Sequence, residues 1–460
     1  MTRDQRLVLV IAILASFVAF LDGSVINVAL PAIREELGGG LATQQWVVDA
    51  YLITLGSLIL LAGSLSDVFG RIVVLRAGLI GFGIASVLIA LAPTPELLIA
   101  LRAVQGVAGA LLVPSSLALI ISEFRDAAQA KAIGLWTAWT SASFLAGPVL
   151  GGLFVDLLSW RLVFAINVLP IAITVWLLVV LGRRDRRREG ARVDVVGAIL
   201  GVLALGGPVF ALIEQGRLGW SHPGILIPLI AGAVALAAFL WWERRTPQPM
   251  LPLGLFRNRN FAWGNLATTF VYAALSLGPF VLTLFLQQQA GYPATLAALA
   301  TLPVSLGNVL LSGWFGSLSG RYGPRLFMTL GPIIAGLGFL LFLSVRSTDV
   351  DYWWQVLPGV LVFALGLSMT VAPLTSAILG SIPETEAGIA SAVNNAVSRV
   401  AGLVAIAMVG VIVAGTLDVD GLHRVVIAAA ALFIVGGLVS FAGIRNPKRQ
   451  GSSAAPVETA

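Results

Sequence analysis

The chain has 460 residues, 58% of them hydrophobic and 11% charged, with a formal net charge of +6. A soluble domain carries about 25% charged residues, so the composition excludes a soluble enzyme or binding module and is that of a membrane protein. The absence of cysteine excludes disulfides, thiolate metal sites and a cysteine nucleophile.

Apolar stretches of about 20 residues recur from end to end, each long enough to cross about 30 Å of hydrocarbon as a helix. None shows the period-two alternation of a barrel strand, so the expected fold is an all-α polytopic bundle. The first stretch, 7–30, follows "MTRDQR" and is longer than the core of a cleavable signal, so it is expected to remain as a span. Within it, "FLDGSVINVALP" places Asp22 about 13 Å from the outer end of the helix. The second span, 43–62, holds Asp49 about 9 Å from the same face, and the fourth, 96–117, holds Arg102 at a similar depth. A charge in lipid costs at least about 2.5 kcal/mol on insertion scales, so all three are expected to face the bundle interior. Asn27 lies about 140° around the helix from Asp22 and cannot share its face.

Between the second span and the third (72–91), "GSLSDVFGR" puts Gly63, Asp67, Gly70 and Arg71 in a loop. Its glycines allow a tight turn, and Asp67 could cap a helix N-terminus of the other half when that side closes. In the fifth span (130–155), Trp139, Ser143, Gly147 and Gly151 recur every four residues and form one stripe. Gly147, Pro148, Gly151 and Gly152 strip that helix of side chains and of one backbone donor, which permits close packing and a bend. The sixth span (162–181) leads into "GRRDRRREGAR" at 182–192, a basic loop suited to anionic headgroups and to fixing topology.

Spans at 194–214 and 224–242 follow; Glu214 ends the first of them near the outer surface. Six more complete the chain at 260–286, 294–315, 326–345, 354–379, 388–415 and 422–444, making fourteen. Arg399 lies about twelve residues into the thirteenth, deep enough to need backbone carbonyls, Asn394, Asn395 or an acid from elsewhere as partner. Trp136, Trp139, Phe270, Tyr272 and the glutamines at 287–289 are candidates to line a substrate path. His222 and His423 fall in predicted loops at span ends, so no metal site is expected. The chain has no GxxxxGK[ST] loop, and any transport work must draw on a gradient or a partner. Assigning loops alternately puts 21 lysines and arginines on the side of both termini and 5 on the other. The positive-inside rule then makes the termini cytoplasmic. The basic residues therefore read as topology, not as a nucleic-acid surface.

The span count is checked by an internal repeat. "GSLSDVFGR" at Gly63 returns as "GSLSGRYGPR" at Gly316, "GALLVPSSLALI" around Pro114 as "LSMTVAPLTSAIL" around Pro373, and "AGPV" at 146 as "AGLV" at 401. Ordered echoes at near-constant offset mean two related halves of six spans in the same orientation, with an even insertion between them. The expected division is 1–190 for the first bundle, 191–245 for two additional helices, 246–445 for the second bundle and 446–460 for a disordered cytoplasmic tail. Gly320 stands where the first copy has Asp67.

Parallel six-span halves about a central site resemble the major facilitator superfamily. "GSLSDVFGR" is similar to that superfamily's loop signature, although Ile72, Val73 and Val74 replace residues that are often basic. "LRAVQGVAG" at 101 resembles its intramembrane arginine motif, and "GPVLGG" at 147 its antiporter motif, with Ser143 in place of the leading glycine. "LDGSVINVALP", "WVVDAYL", "WRLVFAINV", "DVVGAIL", "LGLFRNRNF" and "PGVLVFALGLSMTVAPLT" resemble the 14-span drug:proton antiporter family in particular. Together they cover nearly the whole chain.

The resemblance implies a monomeric multidrug exporter of the plasma membrane, with no cofactor, driven by the proton motive force through alternating access. It implies coupling by Asp22 and Arg102; Asp49 joins them on depth. It assigns Gly63, Asp67, Gly70, Arg71, Gly147, Pro148, Gly151 and Gly152 to gating. Its expected partners are protons, an amphipathic small molecule and anionic lipid. Movement of a lipid or metabolite without proton antiport stays open, as does, more remotely, a membrane sensor.

Overall fold

A computed structural model describes residues 1–182, 193–383 and 386–446. The basic loop and the tail therefore lie largely outside the described residues. The described residues contain 14 helices long and apolar enough to span a membrane. In chain order they are α1 (Arg3–Leu37), α2 (Leu41–Phe69), α3 (Arg71–Ala90), α4 (Pro95–Glu123), α5 (Lys131–Leu157), α6 (Leu162–Leu181), α7 (Val195–Leu218), α8 (Pro223–Glu243), α9 (Arg259–Gln288), α10 (Ala294–Tyr322), α11 (Pro324–Ser344), α12 (Tyr352–Leu379), α13 (Ala387–Val413) and α14 (Val419–Gly443). Every span expected from hydropathy is present. They form two six-helix bundles, α1–α6 and α9–α14, with α7 and α8 as the additional pair.

Several helices run past the hydrophobic stretch that announced them. The segment expected as a loop at 63–71 is helical to Phe69, and the turn is reduced to Gly70 at φ 101°. The repeat does the same: α10 continues to Tyr322 and turns at Gly323, φ 90°. Hydropathy falls at the edge of the hydrocarbon, but the backbone hydrogen-bond ladder continues until a residue tolerates positive φ. His423, expected in a loop, lies within the first turns of α14, which Asp418 starts by accepting from the Gly421 N–H at 2.8 Å; the His423 ring nitrogen is 2.7 Å from the Val345 carbonyl.

The bundles meet through pairs related by the repeat, α2 with α13 and α5 with α10, while α1 also touches α9. The α7–α8 pair interlocks by small residues, Gly207 under the Pro228 carbonyl and Gly232 under the Pro208 ring. It leans on α2 and α13 through Ile53, Val209, Ile213, Leu403 and Ala407.

The face opposite the termini is closed by polar contacts between the halves. Asp156 at the end of α5 accepts from the backbone N–H groups of Ala294 (2.9 Å) and Thr295 (2.7 Å), at the start of α10. Gln45 on α2 donates to the carbonyls of Ile406 (2.6 Å) and Ala407 (3.0 Å) on α13. Arg34 donates to Gln288 at 2.9 Å. Between the halves lies a cavity of about 570 Å³, whose lining reaches Leu379 and Ser391 near the termini face. These contacts close the far side, and the cavity lining extends toward the side of the termini.

Candidate functional site

Asp22 lies on α1 with no exposed surface, inside a cage of donors. Arg102 Nη1 donates to Asp22 Oδ2 at 2.6 Å, and the amide groups of Gln105 and Asn167 each donate to Oδ1 at 3.1 Å. Arg102 is held in turn. Its Nε donates to the Val47 carbonyl at 3.0 Å, its Nη1 also reaches Gln105 Oε1 at 2.6 Å, and its guanidinium lies 4.3 Å from the Tyr51 ring centroid. Ser86 accepts from Gln105 at 2.9 Å and closes the network. An ion pair with both side chains 1% exposed survives out of water only with such a supply of further hydrogen bonds.

The helices approach closely enough to build this cage because Gly106 sits one residue beyond Gln105. A side chain there would collide with the Tyr51 carbonyl and Thr54 of α2, and Thr54 bonds the Ala103 carbonyl at 2.8 Å in the space left free.

Asp49 lies in the same outer half of the bundle in an opposite environment. It too has no exposed surface, yet among the described residues neither carboxyl oxygen has a hydrogen-bond partner and no cation pairs with it. Lying in that half does not place it in the Asp22–Arg102 network. The residues that complete the network, Gln105, Asn167 and Ser86, were not singled out by sequence reasoning. Two of them sit inside strings that carried the family resemblance, Gln105 in "LRAVQGVAG" and Asn167 in "WRLVFAINV".

The antiporter-like motif packs where its bareness predicts. Ser143 lies against α1, where Ser24 donates to its carbonyl at 3.2 Å. Gly147 faces Ser24, and a side chain on Gly151 would meet Val25 and Val28. Gly152 points the other way, its would-be Cβ 2.6 Å from the Thr295 Cα of α10, so it belongs to the far-face closure. Pro148 borders the cavity. Gly70 supplies the α2–α3 turn, Arg71 donates to the Ala118 carbonyl at 3.2 Å, and Gly63 has open space before it. Asp67 lies in the last turn of α2.

Of the substrate-path candidates, Tyr272 lines the cavity together with Phe20, Asn27, Phe144 and Asn308. Trp136, Trp139 and Phe270 do not. Trp136 donates to Ser16 at 3.0 Å between α5 and α1, Trp139 is 58% exposed, and Phe270 packs near Gly436 of α14. Position along a span fixes depth, but whether a ring faces inward depends on the helix's rotation among its neighbours. Glu214 is tied down, accepting from Trp46 Nε1 and Arg217 Nε at 2.9 Å each. Arg399 meets neither carbonyls nor an acid among the described residues; its guanidinium lies 5.6 Å from the Phe20 ring centroid.

The family model described as Major Facilitator Superfamily matches residues 12–406. The chain is 33% identical over 421 residues to "Multidrug resistance protein Stp" of Mycobacterium tuberculosis, covering 91% of this chain and 78% of that protein. It is 34% identical over 409 residues to "Methylenomycin A resistance protein" of Bacillus subtilis, covering 88% and 87%. Among solved structures it superposes on a peptide transporter POT in complex with sulfate at TM-score 0.71 and 16% identity, covering 96% and 94% of the two chains, a likeness of fold. With that fold, a caged acid–arginine pair and a cavity closed on one side, the chain is a transporter that belongs to the major facilitator superfamily.

Proposed function

We propose that this protein exports amphipathic small molecules across the plasma membrane in exchange for protons, with both termini cytoplasmic. Two buried acids in unlike states carry this assignment. Asp22 is saturated with donors and paired to Arg102, whereas Asp49 is buried with both oxygens unbonded. A bare carboxylate without donors is expensive in such a place, so Asp49 is assigned the proton in this state and Asp22 the charge. Re-pairing of Arg102 with Asp49 while the far side is closed would release that proton to the cytoplasm, and return of Arg102 to Asp22 after the halves rock would let Asp49 take up the next proton from outside. The names of the relatives, resistance proteins for a drug and for several drugs, support the export direction.

The cavity supplies the permissive binding space. Its volume suits a drug-sized ligand, and its lining mixes aromatic rings with neutral hydroxyl and amide groups. Alternating access follows from far-face contacts that must break for the opposite state: the Asp156 cap, the Gln45 bridge and the Gly152 notch. Gly63, Asp67, Gly70 and Arg71 are assigned the reciprocal closure on the cytoplasmic side. No cofactor is required, because the proton gradient supplies the work.

The test is transport in proteoliposomes of purified protein loaded with a pH indicator. An imposed proton gradient should drive a fluorescent amphiphile in the opposite direction, and an imposed amphiphile gradient should move protons. Amphiphile flux that ignores the proton gradient overturns antiport; flux of both in one direction makes the protein a symporter.

A further inference from the structure

Arg399 is the charge without a task. It leaves α13 where α2 carries Gly56, whose would-be side chain lies 3.6 Å from the Arg399 Cβ. That bare spot lets the arginine stem cross between the halves and bring its head into the cavity, half-buried, over Phe20. Among the described residues the guanidinium has no ion pair and no hydrogen bond.

The amides expected to hold it are engaged elsewhere. Asn394 donates to Asn265 (3.1 Å) and Thr268 (3.0 Å), and Asn395 to the Ser391 carbonyl at 3.2 Å. No acid among the described residues faces it either. Asp22 and Asp49 have no exposed surface, and neither belongs to the cavity lining. Arg102 backs the cavity wall but spends its charge on Asp22. The polar groups that remain around the space, such as Ser276, Asn27 and Thr375, are neutral. Among the described residues the cavity thus holds one uncompensated positive charge.

A guanidinium offers five N–H donors in a planar fork that fits a carboxylate or sulfonate bidentately. Partly removed from water and unpaired, it gains more from an anionic partner than an exposed arginine would. An apolar wall stands beside it, in which the Phe20 and Phe144 rings lie 5.5 Å apart.

We propose that Arg399 is an anion subsite of the transport cavity, and that the preferred cargo is an amphiphile carrying an acidic group, carboxylate or sulfonate, on an apolar body. This deepens the export reading and rests on it for the word cargo, but the anion preference itself is a property of binding.

The probes are three ligands with one aromatic body and three charges: pyrenebutyrate, pyrenebutanol and pyrenebutyltrimethylammonium. Binding to detergent-purified full-length protein is followed by fluorescence anisotropy with no proton gradient present, so a failure of antiport leaves this readout intact. The parent should bind the carboxylate about tenfold or more tightly than the alcohol or the ammonium, the value of one charge-assisted contact. Arg399→Gln should bring the carboxylate down to the level of the alcohol and leave alcohol binding unchanged, which also reports that the cavity is intact. Arg399→Lys should keep part of the preference. No carboxylate preference in the parent, no binding of any of the three, or an equal loss of all three in Arg399→Gln overturns the proposal.

Discussion

Asp22→Asn and Asp49→Asn are the same chemical change in the same outer half of the bundle, and the structure separates their consequences. Asp22→Asn removes the anion facing Arg102, with both side chains 1% exposed. Deleting one member of a buried ion pair costs about 3–5 kcal/mol, because the surviving charge stays buried and unpaired. Asp49 loses nothing comparable: neither oxygen accepts a hydrogen bond, and asparagine has the shape and neutrality of the protonated acid. Its cost should stay below about 1 kcal/mol, since no charge-assisted contact is broken. Thermal unfolding of the two purified variants, run beside the parent in one detergent, should show a large drop for Asp22→Asn and almost none for Asp49→Asn. In proteoliposomes Asp49→Asn should then move a fluorescent amphiphile downhill while ignoring an imposed pH gradient. Equal destabilisation of the two variants would refute the structural contrast, and an Asp49→Asn protein that still pumps uphill would refute the assignment of the proton to Asp49.

Asp156→Ala removes two hydrogen bonds from the start of α10, a cap worth about 0.5–2 kcal/mol; spin labels across the far face should report a two- to roughly thirtyfold shift toward the state open on that side. Gly151→Leu drives a side chain into Val25 and Val28 and should lower stability by about 1–3 kcal/mol, whereas Gly63→Leu, facing open space, should leave thermal unfolding unchanged while slowing transport if that end of α2 closes the side of the termini. Tyr272→Ala should alter the competition of amphiphiles for the cavity, and Trp139→Ala should not; equal effects in a binding assay would contradict the placement of these rings.

The number and order of spans were legible because transfer into hydrocarbon is a property of each short stretch by itself, and the Gly63 and Gly316 repeat made an even insertion between like-oriented halves the consistent solution. Helix ends were not legible: α2 outruns its apolar segment to Phe69, and α10 to Tyr322, since continuation beyond the lipid is decided by backbone geometry at Gly70 and Gly323. At the site, depth brought Asp22 and Arg102 together on paper, and the structure pairs them. Depth also grouped Asp49 with them, but distance along a helix axis says nothing of rotation about it, and the structure leaves Asp49 apart. Asn167 was missed for a related reason. It reaches Asp22 across 145 residues of chain, and a neutral amide in an apolar span carries no energetic alarm comparable to a charge. Arg399 did raise that alarm, yet the partner expected from neighbouring asparagines is absent, because those amides find shorter routes to hydroxyl and carbonyl groups of their own bundle.

Gly70 and Gly323 occupy equivalent places in the two halves, each turning one long helix into the next at a single residue of positive φ. The companion charge was not kept in both, since Asp67 is matched by Gly320. The two halves share the joint, and the acid stands beside it in the first half alone. The two halves are consequently alike in this joint and unlike in their charge: the caged Asp22 and the bare Asp49 both belong to the first of them. Gly320→Asp would test whether an acid at the equivalent place in the second half can make a contact of its own.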